Sequence, residues 1–407
     1  MNIGQEPALA GREGLAPSAE PRVPRGASVG GPSVEVLRSF EALERVHARW
    51  DELQHHPWSD REHFRAVTAA EPGFLRPHVL AVHEPGHAPG LLIASLQDEV
   101  VRWKVGGFAL ARTRARVLRV PTGGLLAVAS RTRAHALAEA LRASLAAGEA
   151  DALYLHESER DEPLLAEFLH PRDPHRDPAP RLSTGWVLPL PGSFEEFRRS
   201  LSSKARGNLN HAANVVRKKL GGEPQLRCFS RPEELDELVR VSETIARTTY
   251  HRRAGFGFVD TPGARRQLAH ALARGCLRAH VLFVDQLPIA FEHGYAYRGT
   301  YFGKHTGFDP AFAELRPGVY LLARVLERLC EERVAQQMDL GVMDTQLKRT
   351  LGGLPHERIS LYSFAPNARG RWLRTSRAAA GWTERTARAV LGGPLARRLR
   401  RVLPGVR

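Results

Sequence analysis

Between Arg278 and Thr306 the chain writes three extended segments with almost nothing between them: Arg278–Val284, Leu287–Tyr297 and Thr300–Thr306, separated by Asp285-Gln286 and Arg298-Gly299. Connections of two residues fit tight antiparallel hairpins. A helix then opens after Pro317-Gly318, runs to Glu332, and is followed by the strand Gln337–Leu340. A helix between two neighbouring strands makes them parallel, because only a crossover connection joins parallel strands. Upstream lie a strand, Gln225–Phe229, and two helices, Pro232–Arg247 and Pro262–Arg274; downstream lie a helix near Leu347 and the strand Arg358–Phe364. The order β-α-α-β-β-β-α-β-α-β specifies an α/β fold with a mixed sheet and helices on both faces.

The first half is less plainly written. Residues 1–33, rich in Gly, Pro, Ala and Arg without an apolar period, are expected to be a disordered leader. From Val34 onward Phe40, Leu43, Val46, Trp50 and Leu53 recur at helical spacing, with a second short helix around Trp58, Phe64 and Val67. Strands are expected at His78–His83, Leu91–Leu96, Arg116–Val120 and Ala152–His156, with an alanine-rich helix over Thr132–Ala147. Four prolines between Pro171 and Pro180 mark a joint. A strand, Thr184–Leu190, a helix near Phe194–Leu201 and a basic helix, Lys204–Leu220, restart the pattern. The expected domains are therefore 34–182 and 183–366, followed by a basic tail, 367–407.

The net charge of +15 is concentrated at that tail, where eleven arginines stand against the single acid Glu384, a balance of +10. The body carries the remaining +5, ordinary for its size, so DNA is not an expected partner. The segment Trp382–Leu403 reads either as a basic amphipathic stretch on an anionic membrane surface or as a helix packed on the body. Cys228, Cys276 and Cys330 are widely spaced and lack a CxxC or Cys/His pattern, which points to reduced thiols and no metal site. No apolar run approaches the roughly 20 residues that cross a bilayer. A cytoplasmic location is expected, with a membrane-peripheral one as the variant the tail allows.

The segment Asp339-Leu340-Gly341-Val342-Met343-Asp344-Thr345-Gln346-Leu347-Lys348 places two carboxylates and one of only six lysines around a strand end. Groups converging beyond a strand's carboxyl end suit a site. Asp344 capping a helix and pairing with Lys348 four residues on is the plainer alternative.

Four motifs in order extend the reading. Phe194-x-x-Phe197 with Leu201-x-x-Lys204-x-Arg206-x-Asn208-Leu209 resembles the opening signature of the CelD/BcsL-like acyltransferase domain. Asp285-Gln286-Leu287-Pro288-Ile289-Ala290, Phe308-Asp309-Pro310 with Arg316-Pro317-Gly318-x-x-Leu321, and Asp339-x-Gly341 with Asp344 and Lys348 are similar to its later elements. Leu347 stands where that family carries an aromatic residue. The domain is part of the GNAT superfamily, and the Fem-type transferases pair two such folds in one chain. The resemblance thus implies two tandem GNAT-like folds, the C-terminal one clearer.

It also implies a function: N-acyl transfer from acetyl-CoA or another acyl-CoA to an amine acceptor, such as an amino sugar or a precursor of envelope polysaccharide. The alternatives are Fem-style aminoacyl transfer from aminoacyl-tRNA and a non-catalytic module for binding or assembly. Donor phosphates would lie on Arg316, Gly318, Val319 and Tyr320 at the opening of a helix, where backbone N–H groups and the dipole favour anions; plain capping is the other reading. The implied cleft lies where the fourth and fifth strands part, bordered by Tyr301, Lys304, His305 and Asp339. His305 is a candidate general base and Glu292 the alternative; Glu292 and His293 alternate, so one of the two faces the site. Lys348 is the candidate for stabilising the transition-state charge, oriented by Asp344. Acceptor contacts are expected from Lys204, Arg206 and Asn208 on the basic helix, from Tyr250 and His251 in the loop after a helix, and from Tyr301.

Overall fold

The computed structural model describes residues 31–105, 108–249, 252, 255, 257–342 and 346–392. Most of the leader, Tyr250, His251, Asp344 and the last 15 residues lie outside them.

The chain lays down one element order twice. The first pass is β1 (Ser33–Leu37), three short helices α1 (Phe40–Leu43), α2 (His47–Leu53) and α3 (Arg61–Ala66), then β2 (Phe74–Pro77) and β3 (Val79–His83). It continues through β4 (Gly90–Leu92) and β5 (Ser95–Val105), β6 (Phe108–Val120) and β7 (Leu125–Leu126), α4 (Arg131–Ala146), β8 (Ala152–Glu159), α5 (Pro163–Leu169) and β9 (Arg181–Pro189). Two added helices follow, α6 (Phe194–Ser200) and α7 (Ser203–Leu220). The second pass is β10 (Gln225–Phe229), α8 (Leu235–Ala246), α9 (Pro262–Ala273), β11 (Leu277–Val284), β12 (Leu287–Tyr297), β13 (Thr300–Phe308), α10 (Pro317–Glu332), β14 (Gln337–Asp339), α11 (Gln346–Thr350) and β15 (Leu354–Phe364). A last helix, α12 (Ala368–Gly392), closes the described chain.

Local chemistry sets these boundaries. Ser202 Oγ accepts from the Ala205 N–H to open α7, and Gly221 ends it at φ 66°. The expected meander is present: Asp285, Gln286, Arg298 and Gly299 all have positive φ, the backbone of mirror-image hairpin turns. The expected parallel pairs form in each pass, β6 beside β8 and β13 beside β14.

The order in the larger sheet, β10-β11-β12-β13-β14-β9-β15-β8-β6-β5-β2, shows how the passes join. The last strand of the first pass, β9, pairs with β14 of the second; the last strand of the second, β15, pairs with β8 of the first; and β9 and β15 pair with each other. The passes have exchanged their final strands. Residues 183–189, expected to begin the second domain, complete the first pass in sequence while pairing with the second in space.

Side-chain alternation then defines two faces. On one, α10 and α7 cover Leu282, Ala290, Tyr301 and Met338, and α4 and α5 cover Leu153, Leu155 and Leu361. On the other, α8 and α9 cover Phe229, Ala279, Phe291 and Tyr295. Each fully buried large apolar side chain contributes about 1.5–3 kcal/mol. The segment from the end of α2 into α3 crosses to the second pass on this other face: Trp58 packs edge-on to Tyr295 at 4.9 Å, and His63 of α3 meets His270 at 5.8 Å.

Candidate active site

The site begins with a strand parting. β13 and β14 pair over Thr300–Gln337, Tyr301–Met338 and Phe302–Asp339; β14 then ends while β13 runs on to Phe308. At the same place the register of β12 and β13 slips, His293 facing His305 and Gly294 facing Gly303, so Lys304 is the extra residue of a bulge. Bulges bend a strand and re-aim its side chains. This one puts Gly303 on the α10 face and His305 on the opposite face.

On the α10 face Glu292 is buried, and among the described residues its Oε2 has no hydrogen-bond partner. Burial pushes its pKa up to about 7, against the opposing pull of the Tyr301 hydroxyl. Gly303 leaves the way to it open. A Cβ at 303 would lie 3.6 Å from Glu292 Oε1 and 3.4 Å from the Asp339 carbonyl oxygen, so a side chain there would stand between this carboxyl and the parting. A carboxyl half-ionised near neutrality, with an unsatisfied oxygen beside a gap in the sheet, is equipped to take a proton.

The other face of the parting is built largely from the first pass. The Lys304 ammonium stands 4.6 Å over the Trp58 ring. Solvent reaches Lys304, yet protein crowds it closely enough for lost hydration to lower its pKa, with Glu157 pulling the other way. His56 packs edge-on to Phe302 at 4.5 Å, and His156 Nδ1 is 2.9 Å from Thr122 Oγ1. Burial keeps both imidazoles neutral, His156 at a pKa of about 4 and His56 well below its ordinary value. Glu157 has a left-handed backbone (φ 44°) in a strand and a carboxyl whose pKa burial raises. Such strain in a non-glycine residue is costly and gathers at functional sites. Arg358, from the exchanged β15, binds Asp339 Oδ2 at 2.7 Å and Glu159 Oε1 at 3.1 Å, tying β14 to β8 across the middle of the sheet.

The sequence-based candidates divide accordingly. Glu292 lies buried beside the parting, and His293 lies on the opposite face as alternation required, its Nε2 2.8 Å from Ser242 Oγ. His305 is half-buried on that opposite face with its pKa drawn down to about 4 by burial and by Lys304, which makes it a weak base. Tyr301 does not border the cleft: it is fully buried against the α10 core and donates to the Arg278 carbonyl at 3.3 Å, so it is not available to a substrate. Asp339 has both oxygens engaged, by Arg358 and by the Gly341 N–H at 2.7 Å, and acts as a brace rather than a base. Lys348 Nζ donates to the carbonyls of Leu340 (2.6 Å) and Gly341 (3.1 Å), fixing the turn that leaves the parting.

At the opening of α10, Arg316 adopts φ 54° and donates to Asn208 Oδ1 at 2.5 Å, so a donor candidate and an acceptor candidate brace each other. Gly318 packs near Phe308, while the N–H groups of Val319 and Tyr320 both turn back to the Arg316 carbonyl. Pro317 has no N–H, so in this turn Gly318 is the donor left for an anion. Arg206 turns its guanidinium to the Leu201 and Arg199 carbonyls, closing α6, and Lys204 is exposed on the first turn of α7. Tyr250, His251 and Asp344 lie outside the described residues. Among the described residues no cluster of metal-ligating side chains occurs.

A mixed sheet whose fourth and fifth strands part, written twice in one chain with the last strands exchanged and with a buried carboxyl beside the second parting, is a tandem GNAT-like fold. Residues 203–349 match the family of the acetyltransferase (GNAT) domain, and this part of the chain is a GNAT-superfamily domain. The fold is similar to that of FemX, 11% identical, with 74% of this chain and 90% of FemX superposed at a TM-score of 0.51. The tandem GNAT protein from the clavulanic acid biosynthesis pathway is 14% identical, over 83% of this chain and 100% of its own, at a TM-score of 0.45. L-PGS from Bacillus licheniformis is 14% identical over 82% of this chain and 96% of its own, also at 0.45. No curated protein sequence matches the chain.

Proposed function

We propose that the protein is an N-acyltransferase that moves an acyl group from a thioester donor, acetyl-CoA in the simplest case, to a primary amine such as that of an amino sugar or envelope precursor in the cytoplasm. The observation that carries this reading is Glu292, a buried carboxyl with a pKa near 7 and an orphaned oxygen beside the side-chain-free Gly303. The donor enters on the α10 face and the acceptor from the cleft of Lys304 and Trp58, so the two meet at the parting. Glu292 takes the ammonium proton, the free amine attacks the thioester carbon, and the tetrahedral intermediate collapses with loss of thiolate, which is then protonated. Asp339, Arg358 and Lys348 hold the walls of the parting in register.

A second donor, an aminoacyl ester on tRNA, is favoured by one feature. The first turn of α10, with its N–H groups turned inward, offers less to a pyrophosphate than a glycine-rich loop does.

Thermal-shift titrations with acetyl-CoA, longer acyl-CoAs, CoA and aminoacyl-tRNA separate the donors. A ligand at 100 times its Kd stabilises the fold by about 2.7 kcal/mol. With the donor known, kcat/KM is expected to fall as pH drops below about 7, where Glu292 is protonated. Glu292→Gln is expected to lose about 10²–10⁴-fold in turnover while still binding the donor. Stability provides a further check: an acid whose pKa is raised by folding favours the native state at low pH, and that contribution is lost as pH rises from 4.5 to about 7. Glu292→Gln should therefore melt higher than the wild type above pH 7. Full turnover in that variant with an unchanged pH profile sinks the assignment of the base; no shift with any donor leaves a non-catalytic module.

A further inference from the structure

The helix α12 is unlike the other helices in what it shows to solvent. Its inner face is ordinary: Leu373 and Ala380 pack with Val101, Trp103, Ala115 and Phe364. Trp103 Nε1 donates to Ser376 Oγ at 2.9 Å, and the Arg377 guanidinium lies over the Trp103 and Tyr362 rings while binding Asp177 at 2.7 Å. The outer stripe, Arg371, Trp372, Thr375, Ala379, Trp382 and Arg385, recurs at helical spacing and is solvent-exposed or nearly so. Trp372 is 56% exposed, and Trp382, at 64%, is the most exposed large apolar side chain among the described residues. The two indoles stand about 15 Å apart along the axis, on a segment in which eleven arginines face a single acid from Ala368 to Arg407.

We infer that this stripe of α12 is a docking surface for anionic phospholipid, seated at the headgroup level of a bilayer. Indoles favour that level because the ring is apolar and the N–H polar, and arginines flanking them meet the negative surface potential. Trp372 already directs its N–H to Thr113 Oγ1 at 3.2 Å. The stripe is the convex outside of a helix lying on the sheet, a shape that matches a plane. Single-stranded RNA is held differently, in a groove that brings successive bases onto neighbouring aromatic rings. No described helix is long and apolar enough to cross a membrane, so the contact is peripheral.

Co-sedimentation of the full chain with vesicles tests this. Vesicles of phosphatidylcholine with about a third phosphatidylglycerol are expected to bind the protein at low salt, with a blue shift of tryptophan fluorescence; pure phosphatidylcholine and high salt should release it. Arg371→Gln with Arg385→Gln should weaken binding by about 25-fold, roughly five-fold for each charge near the surface. Trp372→Ala with Trp382→Ala should abolish the blue shift while leaving the melting temperature near that of the wild type. Binding that ignores phosphatidylglycerol, binding unaffected by both double variants, or retention of tRNA without retention on vesicles overturns the inference.

Discussion

The two passes part their strands in the same place and use the gap in opposite ways. In the first, the gap after β6 is filled by its own chain. Gly123 (φ 72°) lies so close to His56 that a Cβ there would sit 2.3 Å from the His56 Cβ, and Thr122 and His156 close the remainder with a hydrogen bond. The segment corresponding to β12, at the end of β4 and just after it, carries Leu91, Leu92, Ile93 and Ala94, all buried and apolar. In the second pass the gap stays open at Gly303, and the buried strand beside it carries Glu292. The segment that plugs the first gap is also the wall of the second: His56 packs on Phe302, and its neighbour Trp58 lies under the Lys304 ammonium. One copy has given up its opening to furnish half of the other's.

Two glycines expose that difference. Gly303→Ala should cost activity: its methyl group fills the space between Glu292 and the Asp339 carbonyl, and a misplacement of about 1 Å at a reacting centre costs on the order of 100-fold in kcat/KM. Contacts of 3.4–3.6 Å at its Cβ are ordinary, so the melting temperature should change little. Gly123→Ala should do the reverse. The left-handed backbone costs an alanine about 1–2 kcal/mol, and displacing His56 adds more. Parallel assays of turnover and thermal unfolding decide it; if Gly123→Ala leaves stability intact, the first gap is not plugged as described.

Lys348→Met sharpens the comparison from within the second pass. The two hydrogen bonds of its ammonium to carbonyls should be worth about 2 kcal/mol together in this half-buried setting. Stability and turnover are expected to fall together, the mark of a residue that holds the turn. Lost turnover at an unchanged melting temperature would instead assign Lys348 to the chemistry.

How much of this was readable in the chain follows from where each signal lies. The meander and its crossover were legible because turn residues and alternation are local, and Glu292 because a carboxyl in an otherwise apolar strand is conspicuous. The strand at Ser33–Leu37 and the long hairpin of β5 and β6 were missed or shortened; the exposed side of that hairpin carries Arg102, Arg112, Arg114 and Arg116, which breaks up any apolar run. Tyr301, Lys304 and His305 group together as polar residues bordering the implied cleft, but simple alternation already separates Lys304 from the other two, and the bulge at Lys304 turns His305 away from the face of Tyr301. His56, Trp58, His156, Glu157 and Arg358 were not legible as site residues, because strand exchange and an inter-pass contact bring them there from far along the chain. The strained backbone at Glu157 leaves no trace in its neighbours.

The smallest expected effect tests whether the borrowed wall serves the acceptor. The Lys304 charge is held over Trp58, an interaction worth about 0.5–2 kcal/mol depending on desolvation, and among the described residues no carboxylate comes within ion-pair distance of it. Because burial lowers its pKa, keeping the ammonium charged disfavours folding at neutral pH, and a methionine escapes that cost while giving up the contact with the ring. The opposing terms leave Lys304→Met near wild-type stability, so unfolding does not obscure its kinetics. If the cleft receives the acceptor, the variant should raise the acceptor KM by about tenfold, equivalent to about 1.4 kcal/mol, and leave donor affinity where it was. Trp58→Phe, which keeps a ring with a weaker quadrupole, should do the same to a smaller degree. A rise in donor Kd with an unchanged acceptor KM would reverse the two faces of the parting, placing the acyl donor under the first pass and the amine beneath α10.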